Sequence, residues 1–524
     1  MFEEFNIKQK DKYYLIFIAL FSVILVGYYI HFNDTIGISC SDVYVYLLNA
    51  LYYTGTNVHS TGFIYLSPMI CFLTSLFFRL GFVDKFAIYI VTGAFAIFGN
   101  LGFYLLFRKY FDENLSLTGT VLYSSFTLCL TWLANGTLDI PATGMIIWIV
   151  LFTHIAIKEN PKYYQYLLPL IILGFFTRYT VILTLPALGL FYLYENGFKI
   201  KPDDWKYIKK GIKISLIMMI LILAIVLILG HGQFDAGSQI SNGIIGKTGS
   251  DTDPAFNPDP SYYLTNYPNF ISNSHSVFNA NPDLENPTIL SWTIFAILLV
   301  GAGFWIYDNR IKFKKQDLIP IAIFIMAIIS FTRVSSVVTT LLVLIGLYLV
   351  GKDGEHKTGL FMLAWILCNA IFLSYYQIKV NRYIIPTFPP FIYFILMAIE
   401  YIHKHIKINK NIIPLILIVA FIIQAFAFTA TFEPTDKYTT TEEMSNYIID
   451  NNPDYKNLTI GVYNIRPYGW WLGGNTIGIP SSFVDEIDKS NVTFYISNQK
   501  LDNLTNYTEV KNISQLYLYE NINH

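Results

Sequence analysis

Most apolar residues in this chain stand in long unbroken runs rather than in the i, i+3, i+4 stripe of a soluble helix. A run of about 20 apolar residues is long enough to cross a bilayer as a helix. Thirteen spans are read on this basis, at 13–32, 86–107, 115–134, 140–157, 164–177, 179–195, 212–231, 288–307, 318–331, 334–350, 360–376, 384–402 and 412–431. Gly62–Val83 is apolar enough to span but reads as an interfacial or re-entrant helix. Residues 164–195 read as two helices. A single helix there would measure about 48 Å against a hydrocarbon core of about 30 Å. It would also hold Arg178 near its middle, where a charge is costly.

Composition supports the same class. The chain of 524 residues is 54% hydrophobic and 14% charged, whereas a soluble domain is about 25% charged. The expected fold is an all-α polytopic membrane protein, multi-pass in the cell membrane. The first apolar run is of full membrane length and lacks a small-residue cleavage site, so it reads as a retained span. Basic residues orient the chain. With the N-terminus inside, the inner segments hold 22 Lys and Arg and the outer connections 7, namely Arg79, Lys85, Arg178, Lys247, Arg333, Lys379 and Arg382. A runner-up layout makes Gly62–Val83 a span and fuses 164–195. It puts Asp139 inside and Arg178 in lipid.

Two domains follow: a transmembrane domain over 1–432 and an extracytoplasmic domain over 433–524. The outer loops are 33–85, whose first part (33–61) has no Lys or Arg, and 232–287, rich in Asn, Asp, Pro and Ser. The tail reads as a small α/β unit. Its helix is Thr441–Asn451, capped by Thr441, and its strands are Leu458–Tyr463, Val492–Ile496 and Gln515–Tyr519. It carries five Asn-x-Ser/Thr triplets, at Asn457, Asn491, Asn503, Asn506 and Asn512. They read either as chance in an Asn-rich stretch or as glycosylation acceptors. A net charge of −1 argues against a nucleic-acid partner. The four cysteines are scattered, so no disulfide framework or structural zinc is expected.

The candidate chemistry gathers on the outer side. Asp42 precedes the amphipathic stretch Tyr44–Tyr53 and reads as a helix cap or as a general base. Asp139, just before a span, reads as a second cap or as a partner of Asp42. Lys379-Val380-Asn381-Arg382-Tyr383-Ile384-Ile385-Pro386 sets two cations at an outer helix end, where they snorkel or bind phosphate. Arg178 is a further cation on that face. His59, His231 and His275 have no metal-ligand spacing. Trp470-Trp471 reads as packing within the tail or against the membrane.

In this order, these elements resemble the GT-C superfamily of membrane glycosyltransferases, especially protein O-mannosyltransferases and aminoarabinose lipid A transferases. The residues that carry the resemblance are Asp42 in the first outer loop, Leu66-Ser67-Pro68 in an amphipathic segment, Asp139 before a span, Thr177-Arg178 at a hairpin tip, and Arg382-Tyr383-Ile384-Ile385-Pro386 late in the chain. The family's first motif is often a pair of acids, and here Val43 stands in the second place. Trp470-Trp471-Leu472-Gly473-Gly474 lacks the acid and tyrosine of the oligosaccharyltransferase signature.

The resemblance implies sugar transfer from a polyprenyl-phosphate donor to an acceptor hydroxyl on a glycan, lipid or protein, at the outer face and with inversion. Asp42 and Asp139 would be the catalytic residues. Arg382, Lys379, Arg178 and Tyr383 would hold the donor phosphate, with no metal or other cofactor indicated. Membrane lipids complete the expected partners. The alternatives are a transporter or flippase of lipid-linked sugars, against which stands the lack of a repeat, and a lipid-linked polymer ligase, against which stands the lack of Arg in 232–287.

Overall fold

The computed structural model describes residues 7–56, 58, 66–229, 255–273, 286–309, 317–432, 438–473 and 475–523. The helical part runs α1 (Gln9–Ile36), α2 (Ser41–Tyr53), α3 (Pro68–Arg79), α4 (Phe86–Phe107), α5 (Glu113–Ser125), α6 (Thr127–Thr131), α7 (Asp139–Lys158), α8 (Tyr164–Thr177), α9 (Leu185–Asn196) and α10 (Pro202–Leu229). It continues through α11 (Tyr262–Thr265), α12 (Tyr267–Ile271), α13 (Ile289–Asn309), α14 (Leu318–Ser330), α15 (Ser336–Gly351), α16 (Lys357–Tyr375), α17 (Phe388–His405) and α18 (Ile412–Ala430).

Among the described residues seven helices are long and apolar enough to cross a membrane: α1, α4, α7, α13, α16, α18 and Asn381–His405, which joins a 3-10 stretch to α17. Thirteen full-length helices are not seen among the described residues, where several expected spans are built from shorter pieces. The 12-residue α3 is about 18 Å long and cannot span. The expected span 212–231 extends past the described residues.

The expected span 115–134 is broken at Phe126, where ψ is 131°. The run is rich in hydroxyls that turn back on the helix: Thr120 donates to the Ser116 carbonyl and Ser124 to that of Thr120. Such bonds compete with the helical ladder. Gln424 of α18 reaches in, and its amide nitrogen donates to the carbonyls of Ser125 and Ile271. The chain also leaves helix at Arg178, which is extended (φ −160°, ψ 131°) before a 3-10 stretch at Tyr179–Thr184. The two-helix reading of 164–195 matches this break.

The bundle has two unlike ends. At one end Arg108 pairs with Asp11, Lys109 with Glu159, Lys158 with Glu195, and Lys404 with Asp308. These cations belong to the segments expected inside. At the other end lie α2, the first turn of α7, Arg178, Arg382 and the tail. Asp42 and Asp139 thus share one end, as the preferred layout requires and the runner-up does not. Near the middle, α4 and α7 approach closely where Gly99 faces Gly144, and a Cβ on Gly99 would stand 3.0 Å from the Gly144 Cα. Small residues of this kind let membrane helices pack backbone to backbone.

The tail holds α19 (Thr440–Asn451), α20 (Ile465–Trp471), α21 (Val484–Lys489) and strands β1 (Ile460–Val462), β2 (Thr476–Gly478), β3 (Phe494–Ser497), β4 (Tyr507–Ile513) and β5 (Leu516–Asn521). The sheet order is β2-β1-β3-β5-β4, parallel among the first three and antiparallel beyond. The α/β expectation holds, with β2 and β4 as unanticipated strands. Thr441 is not the cap of its helix, because α19 begins one residue earlier behind Thr439.

The tail docks on the site end of the bundle. Lys85, 7% exposed, pairs with Glu442 at 2.9 Å and with Asp34 at 3.5 Å. Its ammonium also lies over the Trp471 ring, and Trp470 stacks on Phe78 of α3. The tryptophan pair therefore packs on the helical part. Gly37 ends α1 at φ +81°, with its Cβ position 2.6 Å from the Tyr438 carbonyl oxygen, so no other residue lets the two parts approach this way.

Candidate active site

Asp42 is the second residue of α2. The position before the helix is Cys40, and no side chain caps it. The carboxylate of Asp42 is therefore not spent on a cap. It meets the Arg382 guanidinium, Oδ2 to Nη2, at 2.5 Å. Asp139 opens α7 and likewise does not occupy the cap position, which is Leu138. Its Oδ2 lies 2.9 Å from Arg178 Nη1 and 3.0 Å from Arg382 Nε. Neither Asp139 contact has hydrogen-bond angles, so both are charge pairs. Arg382 thus bridges the two acids, and Arg178 holds the second from the other side.

The backbone explains the convergence. Between Thr131 and Asp139 the chain folds back through Ala134 (φ +50°) and Gly136 (φ +86°). A Cβ on Gly136 would stand 2.8 Å from Val43 Cγ1. Glycine there lets the loop before Asp139 lie against α2, one residue from Asp42. Asn33 of α1 fastens the same loop, its amide nitrogen donating to the Leu133 and Ala134 carbonyls. Arg382 enters from the 3-10 stretch that precedes α17.

Aromatic rings flank the cations. Arg382 lies over the Trp132 ring at 4.8 Å and the Tyr383 ring at 5.6 Å, and Arg178 lies over the other side of the cluster at 5.1 Å from Tyr383. The Trp132 indole donates to Asn381 Oδ1. Arg382 Nη1 also donates to Cys40 Sγ. Tyr46, one turn after Asp42, is buried in the field of these charges. Burial first, and the Asp42 carboxylate second, hold its phenol well above the usual range, so it stays protonated. Trp132, Cys40 and Tyr46 carried no signal in the sequence beyond their residue types.

Exposure separates the two acids. About 40% of the Asp42 side-chain surface is open, against 2% for Asp139. Two carboxylates and two guanidiniums balance in charge, and of the two acids Asp42 is the one open to an incoming molecule.

Lys379 stands apart from this cluster. Its ammonium donates to the carbonyls of Leu373 at 2.6 Å and Ser374 at 3.0 Å, at the C-terminal end of α16, where a cation is favoured. Burial pushes it down to about 8. Its backbone nitrogen donates to the Ala255 carbonyl, and the Phe256–Ile378 bridge ties the loop before α11 to the stretch between α16 and the 3-10 turn. Of the six residues proposed from the sequence, five converge and Lys379 caps a helix instead. His59, His231 and His275 lie outside the described residues. Among the described residues no three His, Cys, Asp or Glu side chains gather as metal ligands.

Residues 66–229 match the family model described as dolichyl-phosphate-mannose-protein mannosyltransferase. Among solved structures, the chain is similar to ArnT from Cupriavidus metallidurans bound to undecaprenyl phosphate, with TM-score 0.57 and 10% identity over 97% of this chain and 98% of that one. The apo state of the same protein matches with TM-score 0.57 and 10% identity over 98% of each chain. The Archaeoglobus fulgidus oligosaccharyltransferase in complex with zinc and sulfate matches with TM-score 0.48 and 14% identity, over 93% of this chain and 68% of that one. No curated protein matches the sequence. The fold is ArnT-like, and residues 66–229 resemble the protein O-mannosyltransferases of that family model.

Proposed function

We propose that this chain, a multi-pass membrane protein of GT-C fold, moves a sugar from a polyprenyl-phosphate donor to an acceptor hydroxyl at the outer face of the membrane, inverting the anomeric carbon. One observation carries the reading: an open carboxylate, Asp42, and a buried one, Asp139, are joined by a single guanidinium, with a second arginine behind.

Asp42 takes the proton from the acceptor hydroxyl as its oxygen attacks the anomeric carbon. The bond from that carbon to the phosphate oxygen breaks, and the electron pair leaves on the phosphate. Arg382 and Arg178 face this growing negative charge. Planar guanidiniums suit a phosphate because they offer paired donors. Asp139 touches neither reactant. It anchors both arginines from the buried side and keeps them from turning away. Lys379 acts through the backbone it fixes, two residues before Asn381. The outer face has no nucleotide sugars, so a lipid-borne sugar is the donor chemistry that fits.

The test is transfer from a synthetic prenyl-phosphate sugar by purified protein, with the product's anomeric configuration read by NMR. Inverted product supports the mechanism, and retained configuration contradicts it. In membranes lacking the protein, one lipid-linked sugar should accumulate and thereby name the donor.

A further inference from the structure

The chain contains eight Asn-x-Ser/Thr triplets, and five of them fall in residues 433–524. The three in the helical part, at Asn33, Asn114 and Asn135, are closed to modification. Asn33 and Asn135 are buried, at 2% and 4% exposed, with Asn33 held by its amide and Asn135 by its carbonyl oxygen in the loop beside the site. Asn114 lies at the basic end of the bundle and donates to Asn411.

The tail triplets divide as well. Asn457, Asn491, Asn503 and Asn512 are exposed and Asn506 is half-buried. Asn457 stands before β1, Asn491 just before β3 and Asn512 on the edge strand β4. The other two are gathered on Asp488. Its carboxylate accepts from the Thr505 hydroxyl and from the backbone of Thr505 and Asn506, and its carbonyl accepts from the Asn506 amide nitrogen at 2.9 Å. The hydroxyl of the Asn503 triplet and the nucleophilic nitrogen of the Asn506 triplet are therefore both engaged.

We propose that the tail carries N-linked glycans at Asn457, Asn491 and Asn512, and none at Asn503 or Asn506. The amide nitrogen of each asparagine attacks the anomeric carbon of a glycan carried on a lipid phosphate, under a separate N-glycosyl transferase. A C–N bond forms, the C–O bond to phosphate breaks with its electron pair, and the amide proton passes to that enzyme's base. The product is a bulky, solvated group on the folded surface. At Asn512 it also shields the edge of the sheet, where unpaired backbone invites pairing with another chain. The proposal rests on the outer placement of the tail given above.

The experiment is mass spectrometry of proteolytic peptides from the protein purified out of its native membranes, beside impermeant labelling of a cysteine placed at Lys500, an exposed tail position. The expected result is external labelling, glycan mass on Asn457, Asn491 and Asn512, and loss of each increment in Asn457→Gln, Asn491→Gln or Asn512→Gln. External labelling with all three unmodified overturns the glycan proposal and leaves the outer-face mechanism standing. Equal modification at Asn503 and Asn506 overturns the sorting by structure, since it means addition before the tail folds. Labelling only from the inner side overturns both this proposal and the outer-face mechanism.

Discussion

Arg382 Nε lies 3.0 Å from the Asp139 carboxylate, while the far end of the same guanidinium lies 2.5 Å from Asp42. The buried acid fixes the arginine, and the arginine holds the open acid in a defined place. Arg382→Ala removes both links and should lower transfer by an amount on the order of one charge-assisted hydrogen bond, about 1.5–3 kcal/mol in the activation barrier. Arg382→Lys should recover only part of it, because a point charge cannot reach both acids in one plane. Steady-state kinetics on the two variants checks this. Unaltered kinetics in the alanine variant would reduce Arg382 to a structural contact.

Lys379 gives a pH signature that belongs to stability. Its folded value of about 8 lies below the 10.5 of an unperturbed lysine. Between these values the unfolded chain binds more protons, so stability rises as pH rises from about 8 toward 10.5. Below 8 the full cost of burying the ammonium is present. Lys379→Met should remove this slope from the difference in thermal midpoints measured in detergent across that window. An identical pH slope in the variant would assign the effect to another group.

Lys85 is the buried cation between the bundle and the tail. Its partners Glu442 and Asp34 keep 26% and 46% of their side-chain surface open, so removing the cation should cost less than the about 3–5 kcal/mol of a fully buried pair. Lys85→Met should loosen the tail and raise its susceptibility to limited proteolysis. Glu442→Gln should do so less, because Lys85 keeps Asp34. Equal protease resistance in all three proteins would mean that Trp470, Trp471 and the close contact at Gly37 hold the tail without the charge.

The two ends of the bundle make a prediction about sidedness. Reporter fusions after residue 431 and cysteine labelling within 233–287 should both report the outer side, following the 22-to-7 division of basic residues. A tail on the inner side would remove the basis for a lipid-borne donor.

Much of this site was legible before folding. Charge bias along the spans put Asp42, Asp139, Arg178 and Arg382 on one side, and cost in lipid argued for a break at Arg178. The division of labour between the acids was not legible, because burial of Asp139 depends on the backward loop through Ala134 and Gly136, which periodicity does not encode. Lys379 and Arg382 looked equivalent as neighbouring cations. Three residues apart across a change from extended chain to 3-10 helix, they take different partners. Trp132 and Cys40 reach Arg382 only through tertiary packing. In the tail, β2 has three residues after a glycine-rich turn, and β4 has mostly exposed polar positions. Neither presents the apolar run that marks a strand. The break at Phe126 was hidden because Ser and Thr are tolerated in an apolar helix until a partner such as Gln424 takes the freed carbonyl.

The central claim is that Asp42 acts as general base, and Asp42→Asn tests it most directly. The substitution keeps shape, and Asp42 occupies no cap position whose loss would unfold α2. General-base catalysis typically contributes about 10²–10⁴-fold. With purified protein and a synthetic prenyl-phosphate sugar, the variant should remain folded and membrane-inserted, with transfer at least about a hundredfold slower. Near-normal transfer by the folded Asp42→Asn protein would contradict the account and move the base to another group.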